Sequence, residues 1–403
     1  MRILLGAVTA VALLAAPVPA TAAAPSCLDT SVAPTTEQSR LGPQPAEIIR
    51  RAGLTSFGDR FPAALCGTRS PAELTALVTD WGTALWSAAV NRSQGRRPTT
   101  DPAPLAALDD RPLYWTRLTM ARQLRQFHAT AGTVSAFEDA SRGLVDNAFS
   151  STGIPKIFVS GFDPFGLDHD PRTANPSGAA ALALNGRRIT LRGGGQAEVR
   201  AVVLPVRYAD FDADIVERAF GPRIAQAALI SSVSQGYPGE FTLEGFNGRA
   251  RSADPFPDNE GALSGGTYSS PVVAPGMGPG AEFIPGTLPT AAMVTAAGPY
   301  PVRVNNVVVE IPAGGTSPVY RENGPTQGSR AVQGGGGGYL SNEVAYRSNR
   351  LRVALGSAIP GGHLHTPVLT GLPDDDTLVT GPEFERTEAA IVGQVVEVFR
   401  TIS

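Results

Sequence analysis

Lysine is almost missing from this chain: of its 33 basic residues only Lys156 is a lysine. No Gly-Lys pair exists, which excludes a phosphate-cradling loop of the Walker kind, and a single amine leaves little scope for Schiff-base chemistry. Charge of one sign is not in excess either. Against 36 acidic residues the net charge is only -3, so there is no long-range field to attract nucleic acid or an anionic membrane. No apolar run reaches the roughly 20 residues of a membrane-spanning helix. Cysteine is confined to Cys27 and Cys66, so a nucleophile beyond position 66 must be some other residue. Histidine occurs four times, as His128, His169, His363 and His365, and chemistry that needs an imidazole must draw on these.

The first residues have the layout of a secretory signal: Met1 and Arg2, an apolar stretch over 3–16, then small residues up to Ala24. The expectation is a signal peptide at 1–24, cleaved near Ala22 or Ala24, and a secreted mature protein with no membrane span. In that setting the pair Cys27 and Cys66 is expected to form a disulfide.

Residues 25–150 read as a helical N-terminal domain. Ser70-Pro-Ala-Glu73 is a capping box with proline at the first helical position, opening an apolar periodicity that ends near Asn91. Helical patterns follow at 114–127 and 134–149, with Trp81, Trp86 and Trp115 expected in the core. From Pro155 the texture changes to short strands alternating with helices, at 156–160, 198–206, 228–233 and 302–311 for strands and 209–220, 288–297 and 343–355 for helices, with an amphipathic helix at the C-terminus. This alternation predicts an α/β domain over 155–403, a mostly parallel, mixed sheet flanked by helices, with the helical domain added in front. Residues 247–285 carry few periodic apolars and are expected to be a long loop.

Two local patterns could carry chemistry. The glycines at 334–338 run into Tyr339-Leu-Ser-Asn342 and then a helical pattern. Ser341 there is either an N-cap or a hydroxyl presented beside the free amides of a helix start. His363-Leu-His365 in an extended segment puts both imidazoles on one face. They could begin a metal site, although no further ligands cluster nearby, or one could act as general base for a serine.

A longer set of motifs resembles the pyroglutamyl peptidases (pyrrolidone-carboxylate peptidases), cysteine exopeptidases that remove an N-terminal pyroglutamate. Phe-Val-Ser-Gly-Phe-Asp-Pro-Phe-Gly at 158–166, Asn-Pro-Ser at 175–177, Leu-Pro-Val at 204–206, Gln-Gly at 235–236, Thr-Leu-Glu at 242–244, Pro-Asp-Asn-Glu-Gly at 257–261, Thr-Leu-Pro at 287–289, Gly-Gly-Tyr-Leu-Ser-Asn at 337–342 and Gly-His-Leu-His-Thr-Pro at 362–367 fall in one order over about 245 residues. The resemblance implies a phosphorylase/hydrolase-like α/β fold and a site in which Ser341 stands where the family keeps its cysteine. Ser341 would attack the carbonyl, His365 would act as base and then acid, and Glu244 would orient the imidazole. Phe162, Phe165, Gln235 and Leu340 would line an apolar slot for the lactam ring, with no metal and no cofactor. The substrate implied is a peptide with N-terminal pyroglutamate or a similar small lactam. Two departures matter. A hydroxyl must lose its proton during attack, whereas a thiol can already be ionised; and the family's arginine before the Pro-Asp-Asn motif is absent, Arg249 and Arg251 being the nearest. A catalytically inactive homologue acting as a binding protein is the alternative.

Overall fold

The chain is described here by a computed structural model over residues 27–402, so the expected signal segment at 1–24 lies outside the described residues. Five helices come first: α1 (Pro43–Arg51), α2 (Thr55–Cys66), α3 (Pro71–Ser93), α4 (Arg111–Gln126) and α5 (Ala131–Ser141). The capping box forms at α3, where Ser70 Oγ accepts from the Glu73 amide at 3.2 Å and Glu73 accepts from the Arg69 amide at 2.8 Å. Trp86 and Trp115 are buried and Trp81 packs against the same core. The pattern expected to continue to 149 stops at Ser141. Gly143, with φ of 83° and the Trp86 ring against its Cα, ends it. A disulfide joins Cys27 to Cys66.

The strands are β1 (Lys156–Phe162), β2 (Arg188–Thr190), β3 (Gln196–Leu204), β4 (Leu229–Gln235), β5 (Phe241–Glu244), β6 (Phe246–Gly248), β7 (Ala250–Arg251), β8 (Val272–Val273), β9 (Phe283–Pro285), β10 (Val302–Asn305), β11 (Val308–Ile311), β12 (Val319–Arg321), β13 (Arg330–Gln333) and β14 (Gly361–Thr366). Between them lie α6 (Pro176–Leu184), α7 (Tyr208–Asp212), α8 (Ile215–Ile224), α9 (Thr290–Met293) and α10 (Leu340–Ala354), and α11 (Pro382–Arg400) closes the order. Seven strands form the central sheet in the order β10-β5-β14-β4-β1-β3-β2. β3, β1, β4 and β14 run parallel, β5 is antiparallel to β14, and β2 is antiparallel to β3. The sheet is mixed and mostly parallel, flanked by helices on both faces.

Several expected elements differ. The run at 302–311 is two strands in different sheets, because Asn305 turns the chain with its side-chain oxygen on the Val307 amide. The helix at 209–220 is broken at Asp214, whose φ is 58°, and the one at 288–297 shortens to α9. The long loop at 247–285 contains four short strands paired β6 to β9 and β7 to β8.

Side-chain alternation along the strands decides what each sheet face meets. Ile157, Val159, Leu229, Val233, Leu243 and Leu364 point to one face and share a core with α6, α11 and the N-terminal helices. Phe158, Phe162, Leu204 and Ile230 point to the other and pack on Phe220 of α8 and Leu340 and Val344 of α10. Burying the larger of these side chains is worth about 1.5–3 kcal/mol each. The same alternation sends Ser232, Ser234, Thr242, Glu244, His363 and His365 to the α8/α10 face.

Candidate active site

His365 and Glu244 pair on that face, and Ser341 stands at the start of α10, the helix that packs there. Ser341 is the second residue of α10, whose N-cap is Tyr339, so the N-cap reading of Ser341 does not hold. The Asn342 and Glu343 amides both reach the Tyr339 carbonyl. The Leu340 and Ser341 amides are first-turn donors without an intrahelical acceptor, at the positive end of the helix dipole. Asn342 pins this helix start to β6, accepting from the Gly248 amide at 2.8 Å and donating to its carbonyl at 2.7 Å.

His365 lies in β14 in register with Ser234, and its Nδ1 is 2.8 Å from Glu244 Oε1. Glu244, at the end of β5, is buried and also accepts from Thr242 Oγ1 at 2.5 Å and Asn305 Nδ2 at 2.7 Å. A carboxylate surrounded by donors accepts from His365 as well, which places the imidazole proton on Nδ1 and leaves Nε2 with its lone pair. Among the described residues neither His365 Nε2 nor the Ser341 hydroxyl has a hydrogen-bond partner. Two glycines make room for the pair. A Cβ on Gly335 would overlap the Glu244 carboxylate, and one on Gly236 would lie 2.6 Å from His365 Cβ. The glycine run is thus packed against the carboxylate rather than serving as a free linker.

A partly open cavity of about 20 Å³ beside Ser341 is lined by Phe162, Phe165, Gln235 and Leu340, together with Asn175, Val206, Ser234 and Tyr339. Phe162 stacks on Phe211 at 6.2 Å and is buried, whereas Phe165 is half-buried. Gln235 accepts from the Leu369 amide at 3.1 Å. A space of this size holds about one water, less than a five-membered ring fills.

The loop carrying Phe165 is held from outside the sheet. Asn259 of the Pro-Asp-Asn motif donates to the Pro164 carbonyl at 2.9 Å, and Asn175 donates to the Asp163 carbonyl at 3.0 Å. Buried Asp163 accepts from Arg117 of α4 and, at 2.5 Å, from Arg142 beyond α5. Arg40 and Thr35 reach the same motif, at 2.6 Å to the Asn259 carbonyl and 2.8 Å to Glu260. The N-terminal region, through Thr35, Arg40, Arg117 and Arg142, therefore holds the loop carrying Phe165 and the Pro-Asp-Asn motif bonded to it.

Neither arginine near the motif is free for a developing oxyanion. Arg251 is buried with Glu343 at 2.5 Å and Asp212 at 2.7 Å, and Arg249 bonds Glu282 at 3.2 Å and the Gly278 carbonyl. The two histidines do not form a metal pair. His363 is fully buried, with Ser232 Oγ 2.7 Å from Nδ1 and Ser234 Oγ 2.8 Å from Nε2, so both nitrogens are taken. Burial, and then the neighbouring His365, push its pKa well below the ordinary histidine value, so it is neutral. Elsewhere Asp109, Asp110 and Glu388 lie close together in the interior, where Asp109 is occupied by Arg111 at 2.6 and 2.9 Å and Asp110 by the Asn175 amide.

Sequence reasoning missed Thr242, Asn305 and the two serines on His363. Only Thr242 carried a signal, two residues before Glu244 and on its face of a strand. No helix among the described residues is long and apolar enough to cross a membrane.

Comparison with known proteins gives two kinds of match. Among solved structures, pyrrolidone carboxyl peptidase from Thermococcus litoralis is 16% identical with a TM-score of 0.40, over 62% of this chain and 93% of that one. Pyroglutamyl peptidase I of Bacillus amyloliquefaciens is 21% identical with a TM-score of 0.37, over 61% and 97%. At the level of sequence, the uncharacterized protein PA0049 of Pseudomonas aeruginosa is 32% identical over 468 aligned positions, covering 87% of this chain and 83% of that protein. The PA0049 N-terminal domain matches residues 19–144, and the PA0049 C-terminal domain matches 156–282 and 299–370. With both domains matched in order and a relative aligned over most of its length, the chain belongs to the PA0049 family.

Proposed function

We propose that this protein is an exported amide hydrolase that removes N-terminal pyroglutamate, or a closely related cyclic amide, with Ser341 as nucleophile, His365 as base and Glu244 as its orienting carboxylate. The observation that carries this reading is the 2.8 Å bond from His365 Nδ1 to a fully hydrogen-bonded Glu244, which leaves Nε2 as a proton acceptor on the sheet face where α10 begins. The Ser341 proton passes to Nε2 as Oγ bonds the carbonyl carbon. The resulting oxyanion is met by the Leu340 and Ser341 amides, a role commonly worth 100- to 1000-fold per donor. His365 then returns the proton to the departing amine, and water releases the acid from the serine ester.

Unpartnered Ser341 supports a second reading, in which the cavity binds a ligand without turnover. A fluorophosphonate separates the two. On the first reading one phosphonyl group adds to Ser341, located by peptide mass, and addition fails in His365→Ala. Absence of labelling in the unsubstituted protein would support binding alone.

A further inference from the structure

The cavity beside Ser341 is walled mainly by apolar atoms, yet it contains one hydroxyl with an elaborate support. Ser234 is one of the residues lining the cavity, and its Oγ sits 2.8 Å from His363 Nε2, while Ser232 Oγ holds the opposite ring nitrogen at 2.7 Å. All three side chains are buried, at 2%, 0% and 0% exposure for Ser234, His363 and Ser232. The His363 ring stands edge-on to His365, with centroids 4.5 Å apart and planes at 84°. A polar group is costly to bury without a partner, and a core built only for packing would be filled at lower cost by apolar side chains.

The other polar side chains of the cavity have structural duties. Asn175 spends its amide on the Asp163 carbonyl and its oxygen on Ser177, and Gln235 turns its oxygen to the Leu369 amide. Ser341 faces the reaction. Ser234 has one protein partner, His363, which fixes the hydroxyl rotor and leaves it a further hydrogen bond to make. A neutral imidazole offers one donor and one acceptor. When Nε2 accepts from Ser234, the serine keeps lone pairs for an incoming N–H; when Nε2 donates, the serine keeps its O–H for an incoming carbonyl.

We propose that Ser234, oriented by His363, reads the polar edge of the substrate ring and makes this site selective for a cyclic amide over a ring of the same size without N–H and C=O. This inference rests on the proposed hydrolase reading and names the residues that set its selectivity. Selectivity of this kind is large because a buried hydrogen-bonding group is left unpaired by the wrong ligand.

The test compares kcat/KM for a pyroglutamyl amide and a cyclopentanecarbonyl amide bearing the same leaving group. Ser234→Ala is expected to lower the ratio about tenfold, the size of one hydrogen bond, while the cyclopentanecarbonyl rate changes less than about twofold. His363→Leu, which frees the rotor but keeps the hydroxyl, should fall between. Cooperative thermal unfolding of each variant shows that it is folded. A ratio in Ser234→Ala within about twofold of the unsubstituted protein overturns the proposal. If the unsubstituted protein hydrolyses neither amide, ligand-detected NMR with pyroglutamamide and cyclopentanecarboxamide gives the same comparison. Preference for the lactam that is lost in Ser234→Ala sustains the inference while the hydrolase reading fails. Equal or absent binding overturns it.

Discussion

Arg142→Met removes a charge that the structure uses twice. The Arg142 guanidinium bonds Asp163 Oδ2 at 2.5 Å and Glu138 Oε2 at 2.7 and 2.9 Å, with all three residues buried. Burial alone would raise the Glu138 carboxyl, but Arg142, Arg207 and Arg117 outweigh it and hold the pKa down at about 2 from an ordinary 4.5. A depressed carboxyl pKa contributes stability that is present above the ordinary value and lost as pH falls through the native one. The contribution here is about 3 kcal/mol at neutral pH. Without Arg142, Glu138 retains only the more distant Arg207 at 3.3 Å and Arg117 at 3.8 Å. Leaving a buried charge short of its partner costs about 3–5 kcal/mol, or roughly 4–6 °C in Tm for a chain of this size. The sign with pH is the sharper prediction. In the variant, burial regains weight and the Glu138 pKa rises, so acid no longer removes the same stabilisation. Calorimetric Tm values from neutral pH down to about pH 3 should show the gap between the two proteins narrowing as pH falls. A variant within about 2 °C of the unsubstituted protein, or a gap independent of pH, would refute the role given to this cluster.

Other outcomes follow from the same geometry. On the proposed hydrolase reading, Glu244→Gln replaces the acceptor that fixes the His365 tautomer, so kcat for amide hydrolysis should fall by about 10³–10⁴ with KM little changed; steady-state kinetics would read this split. Reduction of the Cys27–Cys66 disulfide, which spans 39 residues of separation, should lower unfolding stability by about 2–4 kcal/mol, measured in urea with and without reductant. Gly335→Ala should abolish activity more completely than it lowers Tm, because its methyl overlaps the Glu244 carboxylate rather than the apolar core.

The parts of the fold that show plainly in the sequence are those whose burial is apolar. β1, β3 and β4 announce themselves through Ile157, Val159, Val199, Val203, Leu229 and Val233, and α3 through its cap and the spacing of Leu77, Trp81 and Leu85. β14 gives no such signal, since Gly361-Gly-His-Leu-His-Thr366 is wholly buried yet mostly polar. Its histidines are satisfied by Ser232, Ser234 and Glu244 on neighbouring strands. Periodicity measures apolarity and cannot report burial achieved by hydrogen bonds between distant residues. β5 is only four residues long, and the run at 302–311 keeps its apolar character across the turn at Asn305. Local patterns marked Ser341 and the His363/His365 pair, but Glu244 and the choice of His365 over His363 came only from motifs that resemble a known family; spacing alone left Ser341 readable as a helix cap. The grip of Arg117 and Arg142 on Asp163 had no local signature, because single arginines on a helix or just past its end are ordinarily solvated.

The most direct test of the proposed chemistry is hydrolysis of a fluorogenic pyroglutamyl amide by the unsubstituted protein beside Ser341→Ala and Ser341→Cys. A Ser341–His365–Glu244 triad predicts turnover by the unsubstituted protein that is lost in Ser341→Ala. Turnover that appears only in Ser341→Cys, or that persists in Ser341→Ala, would contradict it.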